Sequence, residues 1–176
     1  MEEELEFQER QRFKYWWIIL LIMFPIIVMF ISITIYQLST GKPFGDKPMS
    51  DTMAIVTPIL FVLFTAILTV IFYFMRLDTV INEEGVYERL FPNQLKFGFT
   101  PWDNISDACV IKMNPMLKFS ALGNNNGLIG GKTYYLLGNK VLRLTLNNNK
   151  KIYIGTEQPE ELTEFLEKLD ARRKQK

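Results

Sequence analysis

Two long apolar runs dominate the first half of the chain. YWWIILLIMFPIIVMFISITIY covers residues 15–36 and MAIVTPILFVLFTAILTVIFYF covers residues 53–74, and neither contains a charged residue. A helix rises about 1.5 Å per residue, so each run is long enough to cross a hydrocarbon core of about 30 Å. The pattern therefore predicts a membrane hairpin, with helices over 15–36 and 53–75 and a short extracytoplasmic loop over 37–52. A cytoplasmic segment over 1–14 precedes it.

The ends of the runs agree with a membrane location. Aromatic rings, which favour the headgroup level, lie at Tyr15, Trp16, Trp17, Tyr36 and Tyr73. Positive charges lie just before the first run and just after the second. By the positive-inside rule, they predict that both termini lie in the cytoplasm of a multi-pass inner (plasma) membrane protein. The residues concerned are Arg10, Arg12, Lys14 and Arg76.

The interiors of the runs contain polar and helix-bending residues, but no Asp, Glu, Lys or Arg. We expect Pro25 and Pro58 to kink the helices. The hydroxyls of Thr57, Thr65 and Thr69 are expected to bond to local backbone or to a neighbouring helix. Without intramembrane charge, the runs lack the usual signature of a proton relay or an ion site.

The pattern changes after Asp78, where short β-rich runs alternate with turn signals. Period-two alternation is clear in VLRLTL, where Leu142, Leu144 and Leu146 share one face. The asparagines at 147–149 suit a hairpin turn because asparagine tolerates positive φ. About seven strands are predicted, forming a small antiparallel barrel or sandwich. They lie near residues 78–82, 86–91, 96–102, 105–113, 133–137, 141–146 and 150–155.

The last segment is predicted to be an amphipathic helix. Thr156 or Gln158 is a suitable start, and Pro159 suits the first turn. One apolar stripe follows at helical spacing and would cover an open end of the strand structure; it contains Leu162, Phe165, Leu166 and Leu169. The soluble domain is thus expected over 78–171, with a basic tail over 172–176.

This half of the chain resembles the bacterial pleckstrin-homology-like (PH-like) domains, whose membrane-anchored members carry preceding transmembrane helices. The best match is GGKTYYLLGNKVLRLTLNNNKKIYIGTEQPEELTEFLEKL, residues 130–169, and Trp102 followed by Ile105 resembles the mid-domain strand entry. The resemblance implies a membrane α-helical hairpin followed by an all-β PH-like barrel or sandwich, capped by a C-terminal α-helix. The turn Asn82–Gly85 departs from phosphoinositide-binding members because its two glutamates would repel a phosphate.

Composition narrows the chemistry. The net charge is +1, which gives no nucleic-acid signal, and the absence of histidine removes the commonest general base and metal ligand. We therefore expect no catalytic, cofactor-binding or metal-binding residues and no enzymatic activity. Cys109 is expected to be a small buried hydrophobe. The glycine-containing stretch 127–132 lacks phosphate-loop spacing and is interpreted as a flexible turn.

Two weak binding surfaces remain as alternatives to plain solvated surface. One combines Lys112, Lys118 and Lys132 with exposed aromatics of residues 115–135, which would face the membrane or a partner. The other is the basic end of the chain, which would make weak contact with anionic lipid headgroups; it contains Arg172, Arg173, Lys174 and Lys176.

The leading hypothesis is a non-enzymatic integral membrane protein that presents its PH-like domain for protein or peptide binding, or for scaffolding. A strand edge beside the C-terminal helix is the expected groove. The partners would be the bilayer and an unknown protein, without nucleic acid, and the transmembrane helices offer a route to oligomers. The alternative is a small accessory or regulatory subunit of a membrane transport complex, in which the hairpin is the working part.

Overall fold

A computed structural model describes residues 5–42, 50–113, 123–126, 131–136 and 138–173, and side chains are described for all of these except 123–126 and 131. The chain divides into two compact units. One is the continuous segment Lys14–Phe74. The other combines the residues before that segment with those after it, so the second unit is built from both ends of the chain.

The first unit contains two helices that follow each other along the chain, α1 (Trp17–Thr40) and α2 (Asp51–Phe74). Both apolar runs are thus helical as predicted, with Pro25 and Pro58 inside them. The helices contact each other through stacked Phe30 and Phe61 rings, 4.8 Å apart. The Thr34 hydroxyl also donates to the Ala54 carbonyl at 2.6 Å.

The threonines of α2 bond to their own helix. Thr57, Thr65 and Thr69 each donate to the carbonyl four residues earlier, at 2.7–2.8 Å. These hydroxyls were expected to bond either to local backbone or to a neighbouring helix, and the structure shows the first of these.

Both helices are long and apolar enough to cross a membrane, with mean hydropathies of 3.0 and 2.7. Their apolar side chains are largely exposed: Leu21 is 64% accessible, Phe24 67% and Ile67 59%. Helices that are apolar all round belong in a large core or in a bilayer. No protein core covers these helices in the described structure, which is weak support for membrane association.

The second unit begins with a four-stranded antiparallel sheet in the order β1-β2-β3-β4. Its strands are β1 (Phe7–Arg12), β2 (Arg76–Ile81), β3 (Gly85–Phe91) and β4 (Gly98–Pro101). The last three were predicted. Strand β1 differs from the prediction, which separates residues 1–14 from the soluble domain.

The pairing of β1 with β2 gives the chain its topology. Phe7 pairs with Ile81 at one end of the ladder and Arg12 with Arg76 at the other. The ladder continues one step further, because the Phe13 amide donates to the Met75 carbonyl at 3.0 Å. The whole helical unit is therefore an insertion between two neighbouring strands of one sheet.

A second sheet has five strands in the order β5-β8-β9-β7-β6. They are β5 (Ile105–Lys112), β6 (Gly123–Asn126), β7 (Gly131–Tyr135), β8 (Lys140–Leu146) and β9 (Lys151–Thr156). All were predicted except β6, whose GNNN sequence was interpreted as part of a loop. The expectation of a wholly antiparallel structure is wrong, because β7 pairs with β9 in parallel.

The turn between β8 and β9 follows the prediction. Asn149 has a φ of 62°, and its amide donates to the Leu146 carbonyl at 2.9 Å. Leu142 and Leu144 lie in the core, whereas Leu146 is only partly buried at its edge.

One hydrophobic core joins both sheets to the C-terminal helix α3 (Pro159–Arg173). Leu77, Leu90, Leu144 and Ile154 are fully buried in it. Helix α3 contributes three residues of its predicted stripe and leaves the fourth, Leu166, partly exposed at the margin. The buried three are Leu162, Phe165 and Leu169.

Candidate functional site

A cleft of about 420 Å³ lies between β5 and α3. Strand β5 is the first strand of its sheet, and in the described part of the chain it pairs along one edge only, with β8. A bulge between Ile105 and Asp107 interrupts that pairing near the start of β5. The other edge of β5 borders the cleft, and α3 forms the opposite wall.

The cleft has an apolar floor and a polar rim. Floor residues come from the start of β5, from the preceding turn and from the margin of the helix stripe: Trp102, Ile105, Ala108, Val110, Leu166 and Leu169. Rim side chains are mainly acidic or hydroxylated: Ser106, Asp107, Thr163, Glu167 and Asp170. The cleft thus presents mainly polar atoms above largely buried apolar side chains, an arrangement that the main chain of an extended peptide could contact.

Trp102 anchors one end of the cleft. It opens a short 3₁₀ helix, Trp102–Asn104, that leads from β4 into β5. Its ring is buried, and its indole Nε1–H donates to the Asn82 carbonyl at 2.7 Å. The guanidinium carbon of Arg173 lies 5.4 Å from the ring centroid, within cation–π distance.

A second cleft of about 370 Å³ shares Trp102, Leu169 and Arg173 with the first. Its other lining residues include Glu83 and Glu84 of the turn between β2 and β3. Arg172 reaches Glu83 with an N–O distance of 3.5 Å. The end of α3 is therefore held near this turn, and the two clefts are neighbours that share these three lining residues.

Cys109 lies in the groove wall and is only half-buried, so the expectation of a buried hydrophobe is wrong. Its Sγ lies 3.0 Å from Arg143 Nη2 and 3.6 Å from Asp107 Oδ2. Burial raises the pKa of the thiol, and although Arg143 opposes this effect, Asp107 adds to it. The thiol is therefore protonated at neutral pH and is not activated as a nucleophile.

The basic residues predicted at the end of the chain do not form a free tail where the structure describes them. Arg172 and Arg173 belong to α3 and contact Glu83 and Trp102. Lys174 and Lys176 lie outside the described residues.

The other predicted surface is only partly described. Lys112 and Lys132 are exposed, whereas Lys118 lies outside the described residues. Tyr134 and Tyr135 are 1% and 4% accessible, so the expectation of exposed aromatics is wrong for these two. Tyr134 belongs to the core between the sheets, and Tyr135 belongs to a separate small cluster with Met113 and Val141.

The stretch interpreted as a flexible turn, 127–132, also falls partly outside the described residues. Its last two residues, Gly131 and Lys132, begin β7. Among the residues that the structure describes, no three His, Cys, Asp or Glu side chains are grouped so as to hold a metal ion.

Sequence reasoning missed a second arrangement, on the outer face of the first sheet. Asp78, whose side chain is 6% accessible, lies among Arg10, Arg76 and Arg89. Burial alone would raise the pKa of Asp78, but hydrogen bonds from Arg89 and Arg10 and the charges of Arg10 and Arg76 lower it overall. Arginines at alternate positions in the sequence indicate this cluster. The strand that carries Arg10, β1, is not predicted, so the sequence does not show that Arg10 lies beside Asp78.

Comparisons with known proteins add no assignment: family models, curated proteins and solved structures all gave no significant match.

Proposed function

We propose that this protein is a two-span inner-membrane protein that presents its two-sheet domain in the cytoplasm as a non-enzymatic peptide-binding module. The observation that carries the proposal is an edge of β5 that pairs with no strand among the described residues and lies along a cleft whose opposite wall is α3. A likeness to PH-like domains is part of the proposal. It is supported by two sheets that share one core and by the C-terminal helix that packs on it, whereas the nine strands among the described residues and the parallel pairing of β7 with β9 depart from the expected layout.

The topology is supported by the pairing of β1 with β2. These strands leave and re-enter the helical unit, and they must lie side by side for the sheet to form. An even number of crossings satisfies this requirement and an odd number does not. Two spans with Arg10, Arg12, Lys14 and Arg76 flanking them favour a cytoplasmic domain.

The binding mode follows from strand chemistry. An edge strand offers a row of N–H and C=O groups to an added strand, and such main-chain bonds supply affinity without a particular sequence. Alternate side chains of the added segment would meet the floor at Ile105, Val110 and Leu166. The expected ligand is therefore an extended segment of a protein with apolar residues at every second position.

A reporter fused to either terminus tests the topology. A reporter that is active only in the cytoplasm should function at both ends, and an extracytoplasmic reporter should fail at both. Opposite sides for the two termini would contradict both the two-span arrangement and the β1–β2 sheet.

Matched groove variants test the binding site in native membranes. A photo-crosslinking residue at Ser106, on the exposed groove wall, should capture a protein, and the same residue at Lys150, in the β8–β9 turn, should not. Capture should be lost on Leu166→Arg, which fills the floor. It should persist with Ala171→Arg, an exposed position of α3 outside either cleft.

Loss of co-purifying partners only when the helices are changed, with no effect of Leu166→Arg, would contradict the groove proposal. That outcome would favour the alternative, in which the hairpin works as a subunit of a transport complex.

A further inference from the structure

The outer face of the first sheet concentrates arginine at the end of the ladder that connects to α1 and α2. Alternation places Arg10, Arg12, Arg76 and Arg89 on this face, with Asp78 among them. Arg10 Nε and Arg89 Nη2 lie 2.7 and 2.6 Å from the Asp78 carboxylate. Four guanidinium groups against one carboxylate leave a net charge of about +3 in this cluster.

The last rung of the ladder is electrostatically unfavourable by itself. Arg12 and Arg76 lie directly opposite each other, and like charges in that position destabilise a strand pair. Arg12 is exposed and makes no ion pair among the described residues. Arg76 Nε lies 3.3 Å from Asp78 Oδ2 and is buried there, so only the terminal guanidinium nitrogens of Arg76 are open to a ligand. The rung therefore has excess positive charge, which an anion would neutralise.

Aromatic rings hold two of the guanidinium groups in place. The guanidinium carbon of Arg76 lies 5.1 Å from the Phe91 ring centroid, and that of Arg89 lies 4.3 Å from the Phe97 centroid. Phe97 is 42% accessible and neighbouring Leu95 is 75% accessible. Exposed apolar side chains beside arginine are suited to the interface between headgroups and acyl chains.

The short chain segments between this cluster and the helices limit its distance from the helix ends. Arg76 follows the last residue of α2, Phe74, by two positions, and Arg12 precedes the first residue of α1, Trp17, by five. At about 3.5 Å per residue, these side chains start within about 7 and 18 Å of the helix ends. Headgroup regions extend only about 5–8 Å beyond the hydrocarbon core on each side, so at least Arg76 falls within reach of them.

We propose that Arg12 and Arg76, supported by Arg10, form a binding site for the phosphate of an anionic phospholipid in the cytoplasmic leaflet. The proposal rests on the proposed membrane insertion of α1 and α2. Guanidinium groups present paired N–H donors that match phosphate oxygens. The lipid, rather than a free anion, is the expected source because the site is tethered at headgroup depth and is flanked by exposed Leu95 and Phe97.

Native mass spectrometry of the full chain tests this site. The protein is reconstituted into nanodiscs of equal phosphatidylglycerol and phosphatidylcholine, and the ratio of the two lipids that remain bound is measured. Wild type should retain phosphatidylglycerol preferentially. A basic residue near the membrane surface changes anionic lipid binding by about fivefold. Arg12→Gln should therefore lower the ratio by about fivefold and Arg12→Gln/Arg76→Gln further.

The matched control is Lys150→Gln/Lys151→Gln, which removes two exposed charges at the β8–β9 turn. This variant should retain the wild-type ratio, and circular dichroism should show all variants folded. Arg12→Gln changes a side chain without an ion pair among the described residues, so it tests binding even if the double variant fails to fold.

Three outcomes would overturn the proposal: equal retention of both lipids by wild type, an equal loss in the lysine control, or complete competition by inorganic phosphate at the concentration of the lipid. A vesicle flotation assay separates the two proposals. A chain that does not float with vesicles contradicts membrane insertion itself. A chain that floats but shows no lipid preference contradicts only the arginine site.

Discussion

Glu88 is a carboxyl group in an unfavourable place. It is 3% accessible, its Oε2 has no hydrogen-bond partner, and Gly98 packs against it so closely that a Cβ at that position would collide with Oε1. Burial raises its pKa to about 7, although the Lys132 charge and a hydrogen bond from Tyr134 partly oppose this. This side chain therefore holds its proton to a much higher pH than an exposed glutamate does.

The raised pKa of Glu88 predicts that stability falls as pH rises. The folded state holds the proton up to about pH 7, whereas an unfolded glutamate releases it near 4.5. Between these values folding takes up a proton, so the free energy of unfolding decreases by up to about 3 kcal/mol. Glu88→Gln should remove this loss: near pH 4 it should match wild type, and at pH 8 it should be more stable.

Denaturant unfolding at pH 4, 6 and 8 would measure the effect of Glu88. Glu161→Gln, an exposed position on α3, is the control and should follow the wild-type pH dependence. A Glu88→Gln variant whose pH dependence is unchanged would contradict the assignment of this effect to Glu88.

Asp78 should behave in the opposite sense. Its lowered pKa means that its contribution to stability is complete above the unfolded value of 3.8 and is lost as pH falls through the folded pKa. Asp78→Asn at pH 7 leaves three neighbouring arginines without their carboxylate and should cost about 3 kcal/mol, near the lower figure for a broken buried pair. The lower figure applies because Arg10 is largely exposed.

Thermal unfolding of Asp78→Asn and of the surface control Asp170→Asn would check this. Equal stabilities for the two variants would show that the arginine cluster does not depend on Asp78.

At the scale of elements, strand β1 is held by polar contacts as well as by its backbone ladder. The Glu9 carboxylate accepts hydrogen bonds from Gln11 Nε2, Thr156 Oγ1 and the Glu157 amide at 2.6–2.8 Å. Gln11 also donates to the Gly155 carbonyl at 2.6 Å. These contacts join the first strand to the junction between β9 and α3.

Replacing Glu9 should therefore loosen both ends of the domain. Glu9→Ala removes three hydrogen bonds and leaves the buried Thr156 hydroxyl without this acceptor, which should cost about 3 kcal/mol. Gln8→Ala, an exposed position on the same strand, should cost little. Hydrogen exchange should show faster exchange for β1 and for the start of α3 in the first variant only. Unchanged exchange at α3 would contradict the coupling.

Elements with a clear apolar period could be predicted from the sequence, and those without one could not. In β8, the alternation that includes Leu142 and Leu144 predicts a strand with one buried face. The helical spacing of the apolar stripe predicts α3. In β1 the inward positions after Phe7 are Glu9 and Gln11, so alternation carries no hydrophobic signal. Strand β6 has the sequence of a turn and is a strand only because β7 pairs with it.

The candidate groove was partly foreseen, because a strand edge beside the last helix was expected. Which strand forms that edge depends on sheet order, and sheet order comes from long-range pairing. The same holds for Trp102, whose position in the groove depends on a hydrogen bond to Asn82 that no local pattern reveals.

For the whole molecule, the insertion of the helical unit between β1 and β2 predicts a simple excision. Phe13 and Met75 are already hydrogen-bonded neighbours. Replacing Lys14–Phe74 with Asn-Gly would join the strands through a two-residue hairpin turn, which suits antiparallel strands. The product should be a soluble, folded monomer by size-exclusion chromatography and circular dichroism.

The matched control for the excision is a fragment that begins at Met75 and lacks β1. It should be markedly less stable, because the Glu9 contacts and one edge of the sheet are lost. A folded fragment of equal stability, or an aggregated excision product, would contradict the view that β1 belongs to the domain.

Because the helical unit lies between β1 and β2 in the chain, the first sheet can close only after both helices have been synthesised. Strand β1 leaves the ribosome first, but its partner β2 follows only after both helices have been made. If the hairpin inserts with a single crossing, the two strands end on opposite faces of the bilayer and the sheet cannot close. Under the proposed membrane insertion, completion of the sheet would therefore depend on a double crossing, and a chain that crosses once would be left with an open sheet edge that proteases could attack.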